Sequence, residues 1–275
     1  MIAPLGRRLA EVSEYRRVGA YDIVAVADPE GPAPDPGQFY MLTAAERWGG
    51  GEDERPFLPR AFSVLRATEH RLEFMLEDVG PGTHRLGELR ANDELWLAGP
   101  FGNGFTEPRD GRRPLLVGGG VGTAPLAIWQ DATGGAAILG FRDAHHAEGA
   151  ALLAGARVAT DDGSVGHAGP VTDLLLAELG LDPHVEVYAC GPPGMLEAVR
   201  AICVERDVPA QLAMESGMAC GYGACFGCVV ETKAGYVRLC VDGPVLEAAA
   251  LRSIREAMPR ATANSPLAPS GGGCL

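Results

Sequence analysis

Residues 113–126 read Arg113-Pro-Leu-Leu-Val-Gly-Gly-Gly-Val-Gly-Thr-Ala-Pro-Leu126, an apolar run followed by a glycine-rich turn. The run 113–117 predicts a buried parallel strand, and the residues after the turn, through about residue 130, predict a helix. Pro125 stands where the third glycine of the strict G-x-G-x-x-G dinucleotide motif would be, so that motif is not met. Proline is still accepted in a first helical turn, where its missing N–H group costs nothing. The stretch therefore predicts a strand, a glycine turn and a helix.

The same alternation continues toward the C-terminus. Strand-like runs at 136–141, 156–160 and 185–189 alternate with helix-like segments at 171–179 and 194–204. Alternation of this kind predicts a parallel α/β sheet, which we assign to residues 109–208.

A second glycine-rich turn, Cys190-Gly191-Pro192, follows the last of these strands at its carboxyl end, where ligands collect in open sheets. Cys190 has two interpretations. As a lone buried thiol it is inert, whereas at a strand tip beside a cofactor groove it approaches a nicotinamide.

The first third of the chain, residues 1–108, predicts a small antiparallel barrel, because short β-type runs are separated by clusters of Gly, Pro and Asp. The runs lie at 21–26, 38–43, 61–65, 72–77 and 94–98.

Two segments of this region carry groups that suit a flavin dinucleotide. Arg60-Ala61-Phe62-Ser63 lies on a predicted strand, where an arginine offers a fork for pyrophosphate, an aromatic ring stacks on a flat ring, and a serine hydroxyl reaches flavin N5. Gly82 and Thr83 begin a predicted short helix, whose N-terminal N–H groups favour a phosphate. Taken alone, each segment is more often a plain strand with an exposed arginine or a plain turn with a capping residue.

Residues 215–241 hold four of the seven cysteines, spaced C-x4-C-x2-C-x11-C: Cys220, Cys225, Cys228 and Cys240. This is the spacing of plant-type [2Fe-2S] clusters, which need four thiolates. The small residues of the loop let it wrap tightly and aim N–H groups at the cluster sulfurs. A structural zinc site is the alternative, although zinc ribbons usually carry two C-x2-C pairs and this chain has one. A disulfide framework is disfavoured, because seven cysteines are few for the length.

Composition excludes several classes of function. The chain has 275 residues, 47% hydrophobic and 21% charged, which is ordinary for a globular protein of about two domains and a small module. Its net charge of −13 would repel a phosphate backbone and disfavours a nucleic-acid partner. No window approaches the roughly 18 apolar residues of a membrane span, and we expect a cytoplasmic protein. Residues 256–275, with Cys274, have the composition of a flexible tail.

Together these segments resemble the ferredoxin–NADP reductase superfamily. Residues 218–230 and 240–245 are similar to the cluster loop of the electron-transfer subunits of type B dihydroorotate dehydrogenase. The resemblance implies a multidomain β plus α/β fold: an antiparallel FAD-binding β-barrel at 1–108, a parallel α/β NAD-binding domain at 109–208 and a small C-terminal [2Fe-2S] domain at 209–255.

The resemblance also implies three sets of site residues. FAD would be lined by Arg60, Ala61, Phe62, Ser63, Met75, Leu76, Glu77, Gly82 and Thr83, NAD by Gly119, Gly120, Val121, Gly122, Thr123, Cys190, Gly191 and Pro192, and the cluster by the four cysteines. One position departs from the family. Relatives often carry an arginine at the place of Glu77, and an acidic side chain cannot pair with phosphate.

Electron counting orders these cofactors. Nicotinamide exchanges a two-electron hydride and a [2Fe-2S] cluster carries one electron at a time, so a flavin that does both must stand between them. The resemblance implies that the cluster's partner is the FMN of a separate catalytic subunit that oxidises dihydroorotate in pyrimidine synthesis, in a heterotetramer of two copies of each subunit. Two other hypotheses stand beside it. One is a diaphorase subunit of a hydrogenase or sulfide reductase, and the other is a non-enzymatic zinc or iron–sulfur scaffold.

Two further expectations concern specificity and assembly. Asp143 beside Arg142, in an acidic protein, opposes a 2′-phosphate, which predicts NAD(H) rather than NADP(H). Tyr222 and Phe226 are the large side chains of the cluster loop, and we predict that at least one faces outward to anchor the partner subunit. The alternative is that both rings pack inward and shield the cluster from water.

Overall fold

The computed structural model describes residues 6–49 and 56–254. The predicted tail, residues 256–275 with Cys274, lies outside the described residues. No helix in the described ranges is long and apolar enough to cross a membrane.

The N-terminal region is a closed antiparallel barrel of six strands. The strands are β1 (Arg8–Val18), β2 (Tyr21–Ala27), β3 (Phe39–Ala44), β4 (Arg60–Thr68), β5 (Arg71–Glu77) and β6 (Glu94–Phe101), in the spatial order β1-β2-β5-β4-β3-β6. A short helix, α1 (Pro81–Gly87), follows β5. The predicted barrel is confirmed. β1 is not among the predicted strands, because five of its eleven residues are charged, although residues such as Ala10 and Val12 point into the barrel.

A seven-stranded sheet with helices follows the barrel. Its elements up to residue 213 are β7 (Arg113–Gly119), α2 (Thr123–Thr133), β8 (Ala136–Phe141), α3 (Ala144–Ala147), β9 (Arg157–Thr160), β10 (His167–Ala168), α4 (Val171–Leu181), β11 (Val185–Cys190), α5 (Pro193–Glu205) and β12 (Ala210–Ala213). These six strands are parallel, as predicted for a chain in which strands and helices alternate.

The C-terminal region combines a cysteine loop with three more strands. β13 (Val229–Thr232) and β14 (Gly235–Arg238) form a separate hairpin, and β15 (Val245–Glu247) joins the large sheet antiparallel to β12. The order of that sheet is β10-β9-β8-β7-β11-β12-β15. The sheet therefore includes two strands beyond residue 208, and the division at that residue stays a prediction.

Two buried cores join the three regions. One core includes Phe39 and Met41 from the barrel, Leu115 from the sheet, and Cys228 and Cys240 from the C-terminal loop. The other core joins barrel residues such as Tyr21 and Met75 to Ala124 and Leu126 of α2. The regions are thus held together by shared apolar packing as well as by their connecting segments.

The segment between barrel and sheet is fixed by Glu186, a fully buried residue of β11. Its carboxylate accepts hydrogen bonds from the main-chain N–H of Arg109 at 2.8 Å and from Gln211 Nε2 at 2.9 Å. Gln211 Oε1 in turn accepts from the main-chain N–H of Thr106 at 2.9 Å. A buried carboxylate is stable only when it is hydrogen-bonded and paired, and these donors meet that condition.

We predict that Glu186→Ala lowers the free energy of unfolding by about 2–4 kcal/mol, because it leaves the main-chain N–H of Arg109 without its acceptor and removes one acceptor of the buried Gln211 amide. Urea unfolding measures the change. Glu205→Ala, at the exposed end of α5, is the control and should change stability by less than about 0.5 kcal/mol. A loss at Glu186 as small as that of the control would contradict the prediction.

Candidate functional site

At one end of the barrel, β4 and β5 separate and leave an opening. The two strands pair with each other from Val64 and Phe74 to the end of their hairpin. Beyond that point, among the described strands, residues 60–63 pair only with β3 and residues 75–77 pair only with β2. Main-chain groups therefore face the opening without a strand partner, and such groups need one when buried. The predicted FAD residues of both strands border this opening. A ligand with a flat ring and polar atoms at its edge would supply hydrogen-bond partners for these main-chain groups.

The side chains at the opening divide into three kinds. Met75 and Leu76 are 2% and 1% exposed and belong to the cores, so their main chain is the part available to a ligand. Phe62 and Ser63 are half-buried on β4. Glu77 turns to the sheet, where its carboxylate pairs with Arg142.

One end of the opening is an arginine packed on a glycine. The guanidinium of Arg60 lies against Gly82 of α1, and a Cβ on this glycine would collide with it. Burial lowers the pKa of Arg60, which marks a partly desolvated cation of the kind that attracts an anion. The hydroxyl of Thr83 holds the preceding turn, accepting hydrogen bonds from the N–H groups of Val79 at 2.9 Å and Gly80 at 3.1 Å. The predicted phosphate contacts of Gly82 and Thr83 stay predictions.

The two predicted glycine turns meet at the switch point of the sheet. From β7 the chain builds outward to β8 and β9, then returns to β11 on the other side, so the carboxyl ends of β7 and β11 flank a crevice. A Cβ on Gly122 would collide with the Cys190 carbonyl, and one on Gly119 would come within 2.9 Å of Pro192 Cδ. Glycine is required at both positions for the turns to approach this closely. The crevice is where an open α/β sheet binds a dinucleotide.

Thr123 adds an unsatisfied hydroxyl to this crevice. The residue is fully buried at the start of α2, and no described group bonds its Oγ1. Ser216, just before the cysteine loop, also has a buried Oγ that no described group bonds. Buried hydroxyls without a partner cost free energy, so both fit a ligand that supplies one. Thr123 is among the residues predicted from the sequence, whereas Ser216 is not, and its place beside the loop was the available signal.

Cys190 lies at the floor of the crevice. It is 1% exposed, and its Sγ is 4.0 Å from an oxygen of Glu215. Burial, assisted by the Glu215 carboxylate, raises the pKa of Cys190 well above its ordinary value. The thiol is therefore neutral and a poor nucleophile. Its predicted approach to a nicotinamide stays a prediction.

The four loop cysteines are arranged as two pairs. Cys228 and Cys240 are buried with their sulfurs 3.2 Å apart, and Cys220 and Cys225 form a second, more exposed pair joined by a side-chain hydrogen bond. A [2Fe-2S] cluster has two iron atoms to share among four thiolates, whereas zinc gathers four ligands around one ion. Pairs of thiols suit the binuclear cluster.

Main-chain N–H groups surround the exposed pair. Burial by itself would raise the pKa of Cys220, but hydrogen bonds from the N–H groups of Cys225, Tyr222 and Ala224 lower it to about 6. Donors aimed at a sulfur favour its thiolate form and also hydrogen-bond cluster sulfurs. Burial and the neighbouring Cys228 thiol raise the pKa of Cys240 to about 12. The loop thus prepares Cys220 for ligation, while Cys240 needs the metal to lose its proton.

Arg238 of β14 holds the outer half of the loop. Its Nη1 donates a hydrogen bond to the carbonyl of Gly223 at 3.2 Å, and its guanidinium lies 5.2 Å from the ring centroid of Phe226. Phe226 has a positive φ of 58°, a conformation that costs free energy in a non-glycine residue. The arginine contacts stabilise this conformation.

Both large side chains of the loop face outward. Tyr222 is 43% exposed and Phe226 is 62% exposed, which confirms the prediction that at least one of them points away from the cluster. The alternative, with both rings packed inward, is wrong. A cavity of about 520 Å³ opens beside Tyr222, and its lining also includes Trp96, Phe101 and Cys220.

One strand separates the cysteine loop from the flavin opening. Met41 of β3 pairs with Ala61 of β4, and Phe39 pairs with Ser63. The outer faces of Phe39 and Met41 pack in the same core as Cys228 and Cys240. The loop cysteines and the predicted flavin residues are therefore neighbours across β3.

Comparison with known proteins agrees with this geometry. Residues 215–252 match the family described as the iron-sulfur cluster binding domain of dihydroorotate dehydrogenase B. The electron transfer subunit of dihydroorotate dehydrogenase B (NAD(+)) from Clostridium acetobutylicum is 35% identical over 215 residues, 76% of this chain and 83% of that protein. The subunit from Caldanaerobacter subterraneus subsp. tengcongensis is 36% identical over 86% of this chain and 94% of its own length.

The chain belongs to the electron transfer subunits of dihydroorotate dehydrogenase B. The resemblance drawn from its motifs is confirmed, and the diaphorase and scaffold hypotheses are not supported.

Solved structures agree on the fold of this electron transfer subunit. The chain superposes on an NADH-dependent reduced ferredoxin-NADP oxidoreductase with a TM-score of 0.75 and 24% identity, over 90% of this chain and 91% of the other. The ferredoxin reductase of carbazole 1,9a-dioxygenase matches with a TM-score of 0.61 over 75% of this chain and 67% of its own. The predicted architecture, a barrel, an α/β sheet and a C-terminal iron–sulfur domain, is confirmed. FAD, NAD and a [2Fe-2S] cluster are the cofactors that this family and this fold support.

We predict that Arg238→Gln makes the cluster of this electron transfer subunit decay about tenfold faster under a chelator, measured by visible absorption. The reason is the loss of a hydrogen bond and a cation–π contact, together worth about 1.5 kcal/mol, from the strained half of the loop. Arg252→Gln, which removes a surface contact with Glu231 on the same module, is the control. Equal decay in both variants would show that Arg238 does not hold the loop.

Proposed function

We propose that this chain passes electrons between an FMN-containing catalytic subunit that oxidises dihydroorotate and NAD⁺, as part of pyrimidine synthesis. The observation that carries the proposal is the packing of the cysteine loop on β3, with the predicted flavin residues on the next strand. When bound, FAD exchanges electrons in pairs with a nicotinamide and singly with a [2Fe-2S] cluster. The residues of this chain supply binding, orientation and shielding.

Three kinds of group on the barrel would bind the flavin. Arg60, packed on Gly82, is the cation for the pyrophosphate, and the unpaired main chain of β4 and β5 offers hydrogen bonds to the ring. Ser63 is the hydroxyl that would reach flavin N5. The crevice between residues 119–123 and 190–192 would hold the nicotinamide dinucleotide.

The cluster needs thiolate ligands and a route by which electrons pass to another subunit. Cys228 and Cys240, both buried, form the inner pair, while Cys220 and Cys225 form the outer pair at the surface. A surface pair of ligands suits electron exchange with a group in another subunit. We propose the FMN subunit as that partner, in a heterotetramer of two copies of each chain, and a cytoplasmic location, where unpaired thiols persist.

Loss of one outer thiol tests this function. We predict that Cys225→Ser keeps FAD and NADH-driven reduction of a two-electron dye, because the flavin and NAD residues lie in other regions, and abolishes dihydroorotate-dependent reduction of NAD⁺ in the complex with the catalytic subunit. Both rates are measured without oxygen, with Cys203→Ala, a buried thiol of α5, as the control. If the wild-type complex fails to make NADH from dihydroorotate, the proposed function is wrong.

The outward rings test the docking surface. We predict that Tyr222→Glu and Phe226→Glu each weaken binding of the catalytic subunit by about 1–4 kcal/mol, because a charge replaces an exposed aromatic anchor, while the cluster spectrum persists. Size exclusion with absorption recorded on the same fractions gives both quantities. Tyr236→Glu changes an aromatic that is 76% exposed outside the loop, and it should assemble normally. Normal assembly of both loop variants would place the interface elsewhere.

A further inference from the structure

Glu77 and Arg142 form an ion pair between the barrel and the sheet. Glu77 ends β5, and its carboxylate bonds Arg142 Nη2 on the residue that directly follows β8. The same carboxylate is 3.5 Å from His146 Nε2. The pair joins positions 65 residues apart in the chain.

The strand that carries Glu77 is firmly placed against the sheet. Tyr21, directly opposite Glu77 in the β2–β5 register, is fully buried in the core shared with α2. A Cβ on Gly149 would come within 2.8 Å of the Tyr21 ring, so the two surfaces touch closely. The Glu77 side chain is 19% exposed and that of Arg142 is 56% exposed. Glu77 is thus held in the interface between barrel and sheet, and Arg142 reaches it from the edge of the crevice.

Arg142 occupies the position at which dinucleotide-binding sheets read the ribose. Gly119 of the first glycine turn and Gly140 are register partners on neighbouring parallel strands, so Arg142 lies at the carboxyl edge beside that turn. It follows the turn by about 20 residues, where an acidic side chain binds a ribose 2′-hydroxyl and an arginine accommodates a 2′-phosphate. A free arginine here would favour NADP(H).

The groups around Arg142 are acidic. Asp143 is adjacent, and its carboxylate accepts a hydrogen bond from the His146 N–H at 3.0 Å. Asp162, after β9, donates its N–H to the Arg142 carbonyl at 3.3 Å, which brings Asp161 and Asp162 to the same edge. The prediction from sequence rests on Asp143 and does not include this aspartate pair, whose place directly after a predicted strand was the available signal.

We infer that Glu77, a residue of the flavin barrel, determines the coenzyme preference of the neighbouring sheet by neutralising Arg142. The inference rests on the proposed function and deepens it. The selected ligand is an adenine dinucleotide without a 2′-phosphate. Removal of the carboxylate frees a cation at the ribose end of the crevice, and the 2′-phosphate then gains a partner.

The test is Glu77→Gln, which keeps the shape of the side chain and removes its charge. Wild type should prefer NADH over NADPH in dye reduction. The variant should raise the ratio of kcat/KM for NADPH to that for NADH about tenfold, mainly by lowering KM for NADPH, because the freed charge acts on binding. The gain should shrink in high salt, since it is a charge interaction at a half-exposed site.

Three further variants separate this effect from a structural one. Glu77→Gln with Arg142→Gln should return the ratio to the wild-type value, and Glu77→Asp should keep it there. Glu73→Gln is the matched control, because Glu73 lies on the same strand and pairs with Arg16 and Arg71. Binding of 2′,5′-ADP, measured by calorimetry on the same proteins, should tighten about tenfold in Glu77→Gln alone and needs no flavin turnover.

The inference is overturned if Glu77→Gln reduces the dye with NADH, yet changes neither the coenzyme ratio nor 2′,5′-ADP affinity by more than twofold. It is also overturned if the gain survives the loss of Arg142. Wild-type protein that carries its flavin but reduces no dye with NADH would instead contradict the proposed function, and the inference with it.

Discussion

Close packing across strand β3 is the contact on which the rest of this arrangement depends. All six residues of β3 are buried, because the barrel core covers one face and the cysteine loop covers the other. Gly221 of the loop has a φ of +82°, and a Cβ there would come within 2.5 Å of Met41 Cγ. A larger residue would lift the loop from the strand. The cluster thiols stay one strand away from the flavin opening because that glycine is there.

The shared cores turn three regions into one framework for electron transfer. Cys228 and Cys240 lie in the same core as strands of the barrel and the sheet, so these two cysteines cannot shift without disturbing both. The second core places the end of β5 against the glycine turn of β7 through Tyr21 and α2. Flavin opening, dinucleotide crevice and cluster loop are consequently positioned by packing, and the buried Glu186 fixes the segment that connects barrel and sheet.

The ion pair between the barrel and the sheet is the contact from which we infer the preference for a coenzyme without a 2′-phosphate. In a chain with a net charge of −13, a cation at a cofactor crevice matters more than the total charge. Arg60 is packed on Gly82 and desolvated, which suits a pyrophosphate, whereas Arg142 is engaged by Glu77. Two arginines near two cofactor sites therefore have different roles, and the difference comes from their neighbours.

The sequence by itself determined the features that rest on local spacing. Cysteine intervals, glycine turns after apolar runs and the alternation of strands and helices predicted the cluster, the crevice turns and the two main folds, because each depends on residues close together in the chain. Tertiary structure alone decided how those parts meet. The pairing of Glu77 with Arg142, the unsatisfied hydroxyls of Thr123 and Ser216, the separation of β4 from β5 and the addition of β12 and β15 to the sheet all join distant segments. Such contacts depend on which surfaces pack together, and no local pattern of residues specifies that packing.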